Sequence, residues 1–161
     1  MLSERSPSSQ NHLADWIEQI QEENESSFQA SEKKSEEMYT LAYMLYQNQN
    51  YQEATLFFRL LVEASPSNPK FWKGLGATLQ MQYDYKGALN CYCCCAQLCD
   101  TNQTDPYLYV QTADCNFALK QIKEGLKALN IARSIAKKIN DHRVLQHVTF
   151  MQQVWSDKGD L

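Results

Sequence analysis

Five of the six cysteines fall within nine residues, Cys91 to Cys99, in the stretch CYCCCAQLC. Clustered thiols can hold zinc or cycle between thiol and disulfide. On a helix, at about 100° per residue, Cys91, Cys94, Cys95 and Cys99 share one broad face. They also span ~12 Å of helix axis, whereas four sulfurs around one Zn²⁺ each sit only ~2.3 Å from it. One straight helix cannot close that tetrahedron. CxxC is not repeated at finger spacing, and no histidine stands near. Reduced Cys packs as a small apolar residue, so a buried helix accounts for most of the run. Cys115 reads the same way.

Other chemistry is sparse. His12, His142 and His147 are scattered, and the last two, five residues apart, fall on different faces of a helix. No Gly-rich phosphate loop, GxSxG elbow or HExxH motif is present. The patterns therefore identify no catalytic residue, no metal site and no cofactor.

The 161 residues suit one domain with a core of its own. Four Pro and five Gly argue against a turn-rich β fold, and a net charge of -4 against attraction to nucleic acid or anionic membrane. Acid is concentrated in residues 1–37, with nine Asp/Glu against three Lys/Arg; residues 120–143 hold seven Lys/Arg against two Asp/Glu. The opening MLSERSPSSQNHLADW lacks the basic start and apolar core of a signal peptide. No apolar run approaches the ~18 residues of a membrane span. A cytoplasmic location with reduced thiols is expected.

The elements that carry these residues emerge from a repeat. From Trp72, Leu75, Gly76, Ala88 and Tyr92 meet the tetratricopeptide (TPR) pattern of Trp, Leu-Gly, Ala and an aromatic. Thirty-four residues earlier, Met38, Leu41, Ala42, Leu45, Ala54, Phe58 and Pro66 take the same positions. Thirty-seven residues later, Tyr109, Ala113, Gly125, Leu129 and Ala132 do so, with Thr112 and Asn116 weakening the match. Positions 8 and 20 read Ala42/Ala54, Gly76/Ala88 and Ala113/Gly125, small residues that let paired helices approach closely.

The expected fold is an all-α TPR solenoid. Helix pairs are predicted near 36–48/51–64, 70–82/85–99 and 107–119/122–138. They form repeats at about 35–68, 69–105 and 106–139 within a TPR domain at 35–157. A capping helix near 141–156 would cover the open end, as solenoids require. Residues 1–11 are expected to be disordered. A helical arm over 12–34 follows, with a helix near 12–28 carrying Trp16, Ile17, Ile20 and Phe28.

In such a solenoid, positions 2, 5, 9, 12 and 13 of each first helix face the concave groove. They are Glu36, Tyr39, Tyr43, Tyr46 and Gln47; Lys70, Lys73, Ala77, Gln80 and Met81; and Tyr107, Val110, Asp114, Phe117 and Ala118. The binding site expected from this spacing comprises Tyr39, Tyr43, Tyr46, Lys70, Lys73, Ala77, Gln80, Val110, Asp114 and Phe117. Tyrosine presents a large rigid surface and a hydroxyl, suited to an extended peptide. The alternative is that the tyrosines pack on the N-terminal helix or cover core. A carboxylate clamp of the co-chaperone type uses Lys, Asn and Arg at positions that here hold Tyr39, Tyr43, Gly74, Tyr107 and Gln111. None is a cation and only Gln111 is an amide, which argues against that function.

EEMYTLAYMLYQNQNYQEATLFFRLL, FWKGLGA, YDYKGALNCY and KALNIA together resemble the class II (translocator) chaperones of bacterial type III secretion, the SycD/LcrH-like TPR family. The resemblance covers about residues 12–155. It implies a chaperone that holds pore-forming translocator proteins soluble and competent for export. A short client segment of the Pro-x-Leu-x-x-Pro type would lie in the groove against Tyr39, Tyr43 and Tyr46, with contacts near Lys73, Ala77 and Phe117. It further implies binding of the secretion gatekeeper by some members, and homodimers through the N-terminal helix. The cysteine run and the weak third repeat depart from the family. A general TPR scaffold for folded partners is the alternative function.

Overall fold

The computed structural model describes residues 8–100 and 105–159, all of the regular structure being helical. The order is α1 (Ser8–Gln47), α2 (Tyr51–Ala64), α3 (Pro69–Met81), α4 (Tyr85–Leu98), α5 (Pro106–Ala118), α6 (Ile122–Ile139) and α7 (His142–Gly159). Contacts divide the chain into two compact units, Met1–Met38 and Tyr39–Leu161.

The first unit corrects the expectation of a disordered start and a separate arm helix. Ser8 to Gln47 form one helix of 40 residues. The expected disorder at 1–7 lies outside the described residues, while residues 8–11 already belong to α1. No Pro or Gly interrupts 8–47, and Glu, Gln and Ala recur along it. With strong helix formers and no breaker, nothing ends the helix where the acidic composition stops. Ile20 and Phe28 are solvent-exposed, and the side chains of Trp16 and Ile17 lie outside the described residues.

In the second unit the repeat is visible in the turns. Gln49, Tyr83 and Lys120 have φ of 63°, 64° and 61°, and all stand at repeat position 15. Each is followed by a residue whose N–H reaches back five residues. Asn50 donates to the carbonyl of Leu45 at 2.9 Å, Asp84 to Leu79 at 3.0 Å, and Gln121 to Asn116 at 2.8 Å. This is the Schellman closure of a helix, made in all three repeats without the glycine that usually eases the left-handed turn, and again after α6, where Asn140 has φ 57° and Asp141 donates to the carbonyl of Ala136 at 2.9 Å. The first helices of the second and third repeats, α3 and α5, start on side-chain caps. Asn68 accepts from Lys70 N at 3.1 Å and Asp105 from Tyr107 N at 2.9 Å, each followed by a Pro at the first helical position.

The small positions are buried as the pattern requires: Ala42, Ala54, Ala88 and Ala113 are wholly inaccessible, and Gly76 and Gly125 are buried. At Gly125 a Cβ would lie 2.3 Å from Cε1 of Phe117, so only glycine admits that ring. α7 closes the last hairpin. Val144 and Val148 pack with Val110, Phe117, Leu129 and Ala132 in one apolar cluster, and Trp155 stacks on Phe117 at 4.5 Å.

The cysteine helix is α4. Cys91 and Cys95 are buried, Cys94 is half-buried and Cys93 exposed; Cys99 caps the end and Cys115 is buried in α5. All six are free thiols. Burial pushes Cys91 up to about 11 and Cys95 and Cys115 up to about 12, so each stays protonated at neutral pH. Among the described residues, no group of three or more His, Cys, Asp or Glu could hold a metal ion. No described helix is long and apolar enough to cross a membrane.

Candidate functional site

The last turns of α1 present Tyr39, Tyr43 and Tyr46 at spacings of four and three, one helical stripe. The rings form a continuous wall. Tyr39 stacks on Tyr43 at 6.4 Å and 8°, and Tyr43 on Tyr46 at 6.4 Å and 20°. Tyr46 meets Tyr51 edge-on at 5.7 Å. The wall is anchored at its other end by Phe58, edge-on to Tyr39 at 5.8 Å, and by Phe71 at 5.9 Å. Burial raises the pKa of the Tyr46 hydroxyl, with Tyr51 and Tyr43 adding to the effect. The hydroxyl therefore remains a neutral donor.

α3 supplies the facing side. Lys70 Nζ lies 4.0 Å above the centroid of the Tyr39 ring, a cation–π contact. Lys73 pairs with Asp105, the residue that caps α5, and so ties the start of α5 to α3. Gly74 and Ala77 keep this side low. At Gly74 a Cβ would lie 2.2 Å from Cε1 of Phe58, so glycine there lets the phenylalanine ring form the floor.

Between wall and floor is a pocket of about 320 Å³, lined by Tyr39, Tyr43, Tyr46, Phe58, Lys70, Lys73, Gly74, Ala77 and Gln111. All its residues belong to the second unit. Lined by four aromatic rings, with Gly74 and Ala77 and with two lysines and one amide, it has the character of a site for an apolar segment.

Six of the ten residues expected in the groove meet here: Tyr39, Tyr43, Tyr46, Lys70, Lys73 and Ala77. The other four do not. Gln80, one turn farther along α3, accepts a hydrogen bond from the Tyr92 hydroxyl at 2.7 Å. Val110 and Phe117 are core residues, 6 % and 4 % exposed. α7 covers the face of α5 that the repeat pattern assigns to the groove, and Phe117 is held between Gly125 and Trp155. Asp114 is half-buried, and burial raises its carboxyl pKa against the opposing pull of His147.

Phe58, Gly74 and Gln111 line the pocket without having been assigned to it. Gly74 and Gln111 both stand at repeat position 6, which is not one of the positions the repeat pattern turns into the groove. Oε1 of Gln111 is buried and accepts no hydrogen bond.

The TPR family profile matches residues 35–68 and 69–95. No curated protein matches the sequence. Among solved structures, SycD of Yersinia enterocolitica, a type III secretion chaperone in complex with a peptide of the translocator YopD, is 26% identical, with a TM-score of 0.70. The match covers 77% of this chain and 93% of that one. A chain of the CopN–Scc3 complex is 31% identical over 70% of this chain and 67% of its own, with a TM-score of 0.63. The chain belongs to the type III secretion translocator-chaperone family. The same fold recurs in PcrH of Pseudomonas aeruginosa, solved with the chaperone-binding region of PopD. That chain has a TM-score of 0.74 at 23% identity, with 80% of this chain and 95% of that one covered.

Proposed function

We propose that this protein is a cytoplasmic chaperone that binds an extended segment of type III secretion translocators in the tyrosine-walled pocket, and that it acts by binding without catalysis. The observation that carries the reading is the pocket itself: three stacked tyrosines over a phenylalanine floor, on a fold whose relatives are solved with translocator peptides. Apolar client side chains would enter between the rings, and a proline would lie flat against a tyrosine face. A segment already in polyproline form loses little entropy on docking. Occupied in this way, the client's membrane-active regions stay apart from one another until export.

Co-expression tests the reading. With this chain, a translocator is expected in the soluble fraction and to co-purify. With Tyr39, Tyr43 and Tyr46 all changed to Ala, in a variant of native helicity, the translocator is expected in the pellet. A translocator held soluble equally well by the triple variant contradicts the proposal.

A further inference from the structure

Among the described residues that line the pocket, Gln111 carries a buried polar atom without a partner. It lines the pocket from α5. Its Oε1 is shut off from water and accepts no hydrogen bond. A buried carbonyl oxygen in that condition is unusual, because such groups find partners almost without exception. The position is well fixed: the Lys73–Asp105 pair and the Asp105 cap hold the first turn of α5 beside α3. No hydrogen bond holds its oxygen, so turning the amide into the pocket breaks none there.

An extended segment lying along the tyrosines carries free main-chain N–H groups at intervals, since it forms no internal ladder. Resting on the proposed function, we infer that Gln111 reads the client's main chain: on binding, its Oε1 accepts a hydrogen bond from one N–H of the segment. The tyrosine wall selects apolar side chains and Pro, whereas Gln111 sets the register in which they lie. The residue facing it must then be one other than proline, which has no N–H.

The test is a double cycle. The probe is the tightest-binding peptide from a set tiled over translocator sequences. It is synthesised with each amide replaced in turn by an ester, which removes one N–H and leaves the shape. Against the wild-type chain, one ester position is expected to weaken binding about tenfold, the weight of one hydrogen bond. Gln111→Leu should weaken the all-amide peptide by a similar factor, and against it the same ester should cost nothing more. Without peptide, Gln111→Leu should melt at or above the wild-type temperature, because it removes an acceptor that lacks a partner.

If the variant binds the peptide as tightly as wild type, or every ester position costs the same against both proteins, the inference is overturned. It is equally overturned if the variant melts several degrees lower or fails to fold, because Gln111 would then be a structural residue. If no tiled peptide binds, or binding survives loss of the tyrosines, it is the pocket reading that falls.

Discussion

The first and third repeats place side chains at the same three positions and use them differently. Positions 5, 9 and 12 are Tyr39, Tyr43 and Tyr46 in the first repeat and Val110, Asp114 and Phe117 in the third. The tyrosines stack in a row at the pocket, Tyr43 still 46% exposed. Val110 and Phe117 are sealed in an apolar cluster with Val144 and Val148. A repeat position fixes the direction of a side chain. Whether it meets solvent, ligand or core depends on what lies over it, and over α5 that is α7.

The contrast can be broken at several points. At position 12, Phe117→Ala empties a ring packed between Gly125 and Trp155 and should cost about 3–5 kcal/mol of stability. Tyr43→Ala removes a partly exposed ring and two stacking contacts, and should cost only about 1 kcal/mol. Chemical denaturation of the two variants checks the order; equal losses would erase the distinction between wall and core.

Gly74→Ala tests the pocket floor. Its Cβ would displace the Phe58 ring, and a loss of about 1–3 kcal/mol is expected together with weaker client binding. The left-handed turns should respond in the opposite sense. Lys120→Gly relieves a φ of 61° in the third hairpin and should stabilise the chain by about 0.5–1 kcal/mol, read as a raised melting temperature.

The smallest effect is at Asp114. Burial raises its folded pKa, so between the unfolded and the folded value the folded state holds a proton that the unfolded state has released. Its contribution to stability is present below the unfolded pKa of about 3.9 and is lost as pH rises through the folded value. Asp114→Asn should therefore gain over wild type as pH rises from about 4 to 7, a trend that melting curves at several pH values would show.

Most of the fold was legible because the repeat constrains it from several sides at once. Small residues at positions 8 and 20, the recurring aromatic and aliphatic positions, and the spacing itself all point to the same hairpins. The cysteine helix was legible for the same reason: Cys91 and Cys95 occupy inward positions, and Cys93 lies outside. α1 was misread because composition changes near residue 35 without any residue that stops a helix. Val110 and Phe117 were misplaced because the repeat pattern does not say which face a helix beyond the last repeat will cover. Position 6 of the third repeat is not among the groove positions of the repeat pattern, so Gln111 is not marked by the spacing; its unpartnered oxygen becomes evident only in three dimensions.

The most direct test of the central claim is a peptide titration. Wild type, Tyr39→Ala, Tyr43→Ala and Tyr46→Ala, each confirmed helical by circular dichroism, are titrated with peptides tiled from translocators. The account predicts that a Pro- and Leu-bearing peptide binds wild type and that each tyrosine variant loses at least about tenfold in affinity. Variants that keep their fold and bind as tightly as wild type would contradict it, and would move the client's site away from the pocket.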